Sequence, residues 1–280
     1  GVRGQAEDWG TAAGAVERLE EFATDPDPFF CKVGFDPAHP GGGYDTSDHY
    51  LEEIPGEAVT LPPDDPLDHP VMRAASRAKH TAEPLPDETV RRIRRHYLAM
   101  IAETDALVGQ ILDALAEFGL QEDTVVVFLS DHGDMQMEHR QWLKNSVYEA
   151  SARVPLLVAG PGIAADHQVQ TPVSLVNLRK TLADLGGYEP IEPCSGESLT
   201  PALDGAEPPA RPVLCQYHSN MQPTGSFMLR EGDWKYVAFA GDDPQLFNLA
   251  RDPDEMENLA PERPELVERM DQTLRGILDY

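Results

Sequence analysis

At 280 residues the chain is long enough for one large or two modest domains with an ample core. It carries 22 Lys and Arg against 49 Asp and Glu, a formal charge of −27, which argues against nucleic acid and anionic membranes as partners at ordinary salt. No stretch is long and apolar enough to span a membrane, no signal peptide is visible, and Cys31, Cys194 and Cys215 form neither a disulfide framework nor a Cys-x-x-Cys metal pattern. The start at Gly1 rather than Met leaves room for a removed leader, so a soluble protein, cytoplasmic or exported, is expected. Lysine is scarce: Lys32, Lys79, Lys144, Lys180 and Lys235 are all there are. Salt adaptation and a merely acidic enzyme both fit this balance, and the shortage of lysine favours the first.

In chain order, residues 11–23 repeat apolar side chains at helical spacing, with Ala12, Ala15, Val16, Leu19 and Phe22 on one side and Thr11 as N-cap. Asp25-Pro26-Asp27-Pro28 stops that helix, and 29–35 reads as a short core strand containing Cys31. A turn, Asp36-Pro37-Ala38-His39-Pro40-Gly41, follows; on these residues alone His39 is an ordinary loop histidine. Residues 41–86 are dense in prolines and acids, which predicts a functional loop or a disordered segment. A long helix is then predicted from Asp87, with Val90, Ile93, Tyr97, Met100, Leu107, Ile111 and Leu115 in register and Gly119 just past its end. Its Arg91-Arg92-Arg94-Arg95 cluster reads as a solvated or ion-paired face, and Glu103 as a structural partner for arginine.

Val125–Leu129 and Val154–Ala159 are apolar runs of the kind found in strands buried on both faces. A helix over 173–185, stopped by Gly186-Gly187, leads through a Pro- and Gly-rich connection to alternating strands, a hairpin turning at Glu231-Gly232-Asp233, and an amphipathic helix from about Pro264. These elements predict an α/β fold with a mostly parallel sheet flanked by helices over 1–205, and a small antiparallel subdomain over 206–280.

The first apolar run ends on Ser130-Asp131-His132-Gly133, where open α/β sheets place their ligands. These four residues alone allow two readings: a metal-binding carboxylate and imidazole, or a turn in which Asp bonds its own backbone. Together with Glu138-His139, Lys144 and the stretch from Tyr148 to Leu156, they resemble the metal- and sulfate-binding segment of type I sulfatases, of the alkaline phosphatase-like superfamily. The wording of 137–141 and 148–152 is most similar to the arylsulfatase K-like branch, which is glycosaminoglycan-directed. The Pro-x-His-Pro turn at His39, Ser174-Leu175-Val176-Asn177-Leu178 and the order of the C-terminal strands extend the resemblance over nearly the whole chain.

The resemblance implies that Asp131 and His132 hold a metal and that Lys144 bridges sulfate and nucleophile. It implies that His39 contacts the sulfate or the leaving oxygen. His139 becomes a candidate proton donor, with its unperturbed pKa of roughly 6.5, and His218 reaches toward the substrate. The metal expected is calcium, with manganese or magnesium left open by the imidazole ligand. The partner expected is a sulfated small molecule or carbohydrate. Type I sulfatases make a formylglycine nucleophile from a C/S-x-P-x-R motif, which no Cys or Ser here begins. The family's first pair of metal aspartates also has no counterpart before residue 30. The chain therefore reads as the C-terminal portion of a longer enzyme, with the formylglycine expected in the N-terminal portion. Two other readings stand: a phosphonate or phosphate ester hydrolase of the same superfamily, and a non-catalytic sulfate-binding fragment.

Overall fold

A computed structural model describes the chain apart from residues 1, 2, 37, 40–45, 191, 219, 279 and 280. Two units emerge, Gly1–Pro62 with Glu83–Val126, and Pro63–Ala82 with Val127–Tyr280. The first holds α1 (Arg3–Thr24), α2 (Asp48–Glu53) and α4 (Asp87–Glu117); α3 (Pro70–Ala78) belongs to the second.

In the first unit, Leu19 of α1 is buried with Ala114 and Leu115 of α4, and Val16, Phe22, Phe29, Ile111 and Phe118 close the margins. The long helix has its expected span, and Gly119 follows it at φ 71° with Leu120 N–H returned to Leu115 O at 2.9 Å. The N-terminal helix is longer than its apolar period suggests. Thr11 lies inside it, donating Oγ1 to Glu7 O at 3.0 Å as helical threonines do, so it is no N-cap. Tertiary bonds from the added turns explain the extension: Asp8 Oδ1 accepts Asp36 N–H at 2.9 Å, and Trp9 Nε1 donates to Glu103 Oε1 at 2.9 Å. Glu103 is buried and also accepts Thr46 Oγ1 at 3.2 Å. Arg91 and Arg92 are exposed and Arg94 and Arg95 half-buried. Arg91 donates to Val59 O, and Arg95 to Ile54 O at 2.7 Å and Leu51 O at 2.8 Å, satisfying carbonyls at and beyond the end of α2. Residues 29–35 form no strand, and Phe30 is 74% exposed. A β run needs a neighbour to bond with, and among the described residues none pairs with it.

The second unit begins where β1 (Val126–Leu129) crosses the boundary and pairs with β4 (Leu156–Ala159). These strands were expected to be buried on both faces, yet Phe128, Leu129 and Leu157 are exposed, because no described residues cover that side. Between them lie β2 (Met135–Gln136), β3 (Trp142–Leu143) and α5 (Glu149–Ala152). After a capped turn at Ser174, α6 (Leu178–Gly186) and α7 (Thr200–Leu203) lead to an antiparallel sheet of β5 (Val213–Tyr217), β6 (Ser226–Glu231), β7 (Trp234–Phe239) and β8 (Asp242–Asn248), in that spatial order. α8 (Pro264–Ile277) buries Met270 and Leu274 against Leu229, Tyr236 and Leu246 of this sheet. The opposite side chains, Met228, Val237, Phe239 and Phe247, pack with Val71 and Met72 of α3 and with Met135, Val147 and Tyr148. The sheet is thus the floor under the segment that carries the candidate site. Within the stretch read as a functional loop or a disordered segment, of which 41–45 lie outside the described residues, Pro70 opens α3 at a position proline favours, and Val71, Met72 and Ala75 supply its buried side. Among the described residues no helix is long and apolar enough to cross a membrane.

Candidate active site

The tetrapeptide after β1 is a fixed turn. Ser130 Oγ donates to His132 O at 2.7 Å, Asp131 Oδ1 accepts His132 N–H at 2.9 Å, and His132 Nδ1 donates to Gly133 O at 2.9 Å. That last bond commits Nδ1 as donor and leaves the neutral ring's Nε2 with its lone pair. Nε2 stands 3.7 Å from Asp131 Oδ2, whose side chain is 84% exposed. Gly133 N–H donates to Ser151 O at 2.8 Å, so the turn lies directly on the α5 backbone. A Cβ at Gly133 would sit 2.1 Å from Ala150 O, which requires glycine there whatever its φ. Gly133→Ala is expected to cost about 3 kcal/mol, at the upper end for overpacking because the obstacle is backbone. Thermal unfolding checks this, and an unchanged midpoint would show that α5 is free to retreat.

The β2–β3 hairpin pairs Met135 with Leu143, which returns Lys144 opposite Asp134, close in sequence to Asp131 and His132. Five non-glycine residues between 137 and 145 take positive φ: Met137 74°, His139 49°, Arg140 51°, Leu143 63° and Asn145 76°. Such strain concentrates where a site over-determines the backbone. Asp134 is buried; burial lifts its carboxyl to about 7 against the opposing pull of Lys144, Lys79 and hydrogen bonds from Gln136 and Leu143. Lys79 is 1% exposed, and burial lowers its ammonium to about 8, with Asp134 resisting. The sequence reading did not single out Asp134, and it noted Lys79 only as a scarce residue; a lysine closing an apolar helix was the available signal.

His139, expected as a proton donor, is buried. Its Nδ1 lies 2.6 Å from Asp65 Oδ2 and its ring stacks on Tyr148 at 3.6 Å and 7°. Burial pushes Asp65 upward, but the hydrogen bonds from His139 and Leu67 N–H and the charges of His139 and Arg140 leave it below the ordinary carboxylate range. A cavity of about 200 Å³ opens beside His139, lined also by Tyr148, Glu149 and Glu255. Behind it lies fully buried Lys235, with Nζ 3.0 Å from Glu149 Oε1 and 2.7 Å from Glu255 Oε1. His218 is exposed after β5, its Nε2 3.0 Å from Gln216 Oε1 and its ring edge-on to Phe227 at 4.7 Å. Neighbouring Tyr217 accepts a hydrogen bond from Asn145, the residue after Lys144, so the two segments are linked. His39 belongs to the first unit, exposed in a turn closed by its N–H to Asp36 O at 3.0 Å.

Among the described residues no group of three or more His, Cys, Asp and Glu could by itself hold a metal. Asp131 and His132 nevertheless fit two places in a divalent site. A carboxylate oxygen and an imidazole nitrogen converge, and the other ring nitrogen donates to a backbone carbonyl, as metal-ligating histidines do.

The Sulfatase family model matches residues 13–188, and the model described as N-sulphoglucosamine sulphohydrolase, C-terminal, matches 137–278. Arylsulfatase K of Xenopus laevis is 38% identical over 305 residues, covering 100% of this chain and 57% of the relative. Arylsulfatase K of Homo sapiens is 36% identical over 306 residues, with the same shares of 100% and 57%. Among solved structures, the Bacteroides fragilis protein yidJ, described as a sulfatase, superposes with a TM-score of 0.81 at 26% identity, covering 97% of this chain and 58% of that one. The phosphonate monoester hydrolase SpPMH of Silicibacter pomeroyi gives 0.80 at 25% identity, covering 94% and 59%. These neighbours share the alkaline phosphatase-like fold, and this chain spans a little over half the length of the curated relatives it matches. The Sulfatase model alone covers more than half of the 280 residues, and the chain belongs to the sulfatase family.

Proposed function

We propose that the chain supplies the metal-binding pair and the sulfate-binding lysine of a sulfate ester hydrolase acting on sulfated carbohydrate. The observation that carries this reading is the hairpin returning Lys144 to the segment of Asp131 and His132. One cation and one carboxylate–imidazole pair thereby issue from a single held piece of chain, in a protein whose charge otherwise repels anions. Arylsulfatase K at 36–38% identity over the whole of this chain supports the choice of sulfate.

Breaking an S–O ester bond leaves negative charge on the departing oxygen. The Lys144 ammonium stabilises the charged sulfate oxygens, and a donor placed for the transition state contributes several kcal/mol in such sites. Asp131 and His132 would hold the family's divalent metal, calcium in this reading, which when bound would supply Lewis-acid polarisation of the sulfate. His218, which is exposed, is assigned to the substrate. The buried stack of His139 on Tyr148 favours orientation of Asp65 over proton donation, so the proton donor is sought among the exposed imidazoles. The nucleophile is assigned to the N-terminal portion of the enzyme.

Calorimetric binding of a sulfated monosaccharide to the purified chain, dependent on added divalent metal, tests the proposal. Binding should disappear in Lys144→Ala, and an aryl sulfate should not be turned over by the chain alone. Equal binding by Lys144→Ala would move the anion site elsewhere. A clear preference for a phosphonate monoester would move the chain to the phosphoryl branch.

A further inference from the structure

Lys79 follows the last turn of α3, and its ammonium is buried although the chain spares only five lysines. Nζ donates to Gln141 Oε1 at 2.9 Å and to Lys144 O at 2.7 Å. Two more bonds join the same pieces: Trp142 Nε1 donates to Lys79 O at 2.8 Å, and Thr81 Oγ1 donates to Arg140 O. Residues 140–144 are therefore fastened at four points by residues 79 and 81.

We infer that Lys79 is the positioning residue that holds Lys144 in register for the sulfate, an inference that rests on the reading of Lys144 given above. Two facts make such a holder necessary. Leu143 and Asn145, on either side of Lys144, both take positive φ, 63° and 76°, and non-glycine residues leave that region when nothing restrains them. The ammonium of Lys79 also loses its hydration on burial, a cost an apolar side chain of similar length would avoid. Its charge strengthens the bond to the Lys144 carbonyl, since a charged donor binds an acceptor more firmly than a neutral one. Lys144 projects its own charge from that same backbone, so a shift of its carbonyl is a shift of its ammonium. Lys235, equally buried, pairs with two carboxylates and does not touch this segment in the bonds described, which makes it an internal reference.

The test uses the full chain with ¹³C-labelled lysine, whose five side-chain signals are assigned by single Lys→Met substitutions. Sodium sulfate is titrated against chloride at constant ionic strength. In the parent, the Lys144 Cε signal is expected to move with sulfate. In Lys79→Met the sulfate affinity read there should fall about tenfold or more, as misplacement of a binding group does, while Lys235 keeps its shift. General loosening would move both signals and would overturn a specific role. Should Lys79→Met fail to fold, Thr81→Val and Trp142→Phe each remove one bond, and each should weaken the Lys144 response in part. Unchanged affinity at Lys144 in folded Lys79→Met, or in both milder variants, overturns the inference. A parent whose Lys144 ignores sulfate removes the sulfate reading instead. Positioning is then judged by the Lys144 carbonyl signal, which must move in the same variants and refutes the inference if it does not.

Discussion

Lys235→Met is expected to cost about 3–5 kcal/mol at neutral pH, the range for breaking a buried ion pair from one side. The ammonium is fully buried between Glu149 and Glu255, and Glu255 is itself buried. Burial already raises the Glu255 carboxyl above 4.5 despite the lysine, so the variant leaves a charge with its main compensation gone. A raised folded-state pKa means that the folded chain takes the proton at a higher pH than the unfolded one. Stability lost in Lys235→Met should therefore return as pH is lowered through the folded value of Glu255, and Glu255→Gln added to the variant should recover part of it at neutrality. Denaturant unfolding at two pH values measures both effects, and a neutral-pH cost below about 1 kcal/mol would class the network as a surface-type pair. The consequence reaches the site. Glu255 Oε2 accepts Glu149 N–H at 2.6 Å where α5 begins, and α5 accepts Gly133 N–H through Ser151 O. Loosening Lys235 should thus weaken the metal binding proposed for Asp131 and His132, two residues that lysine does not touch in the bonds described.

Residues whose role is local were legible in the sequence. Gly119 ends α4, the Glu231-Gly232-Asp233 turn joins β6 to β7, and Ser130-Asp131-His132-Gly133 closes β1, because each is governed by backbone chemistry within a few positions. Pairings between residues far apart in the chain were not legible. Glu103 bonds Trp9, Lys79 bonds residues 141 and 144, and His139 bonds Asp65; no period or motif encodes those pairings. Prolines around 41–86 hid α3 because their density was read as irregularity, whereas Pro70 starts the helix. The apolar runs at 29–35 and in β1 and β4 were read as buried because burial was inferred from residue type. Exposure of Phe30 and Leu157 shows that type sets the tendency and neighbours decide it.

In the enzyme completed by the nucleophile-bearing portion, Lys144→Ala and Asp131→Ala are expected to fail in different ways. Lys144 is half-buried on a hairpin held by strained residues and by Lys79, so its charge is presented without reorganisation. Removing it should lower the rate on the order of 10²–10³, the loss seen when one transition-state donor is deleted. Added metal should not help, and Lys144→Arg should not restore the rate, since a planar fork cannot replace a compact ammonium. Asp131 is the exposed member of the proposed metal pair, and its Oδ1 also accepts the His132 N–H. Asp131→Ala removes a charged ligand and loosens its partner, so occupancy should fall and activity should return in part at high metal concentration. Steady-state rates across a metal titration separate the two outcomes. Rescue of Lys144→Ala by metal would place that lysine among the groups that build the metal site, and near-parental turnover in a folded Lys144→Ala would move the sulfate to another cation.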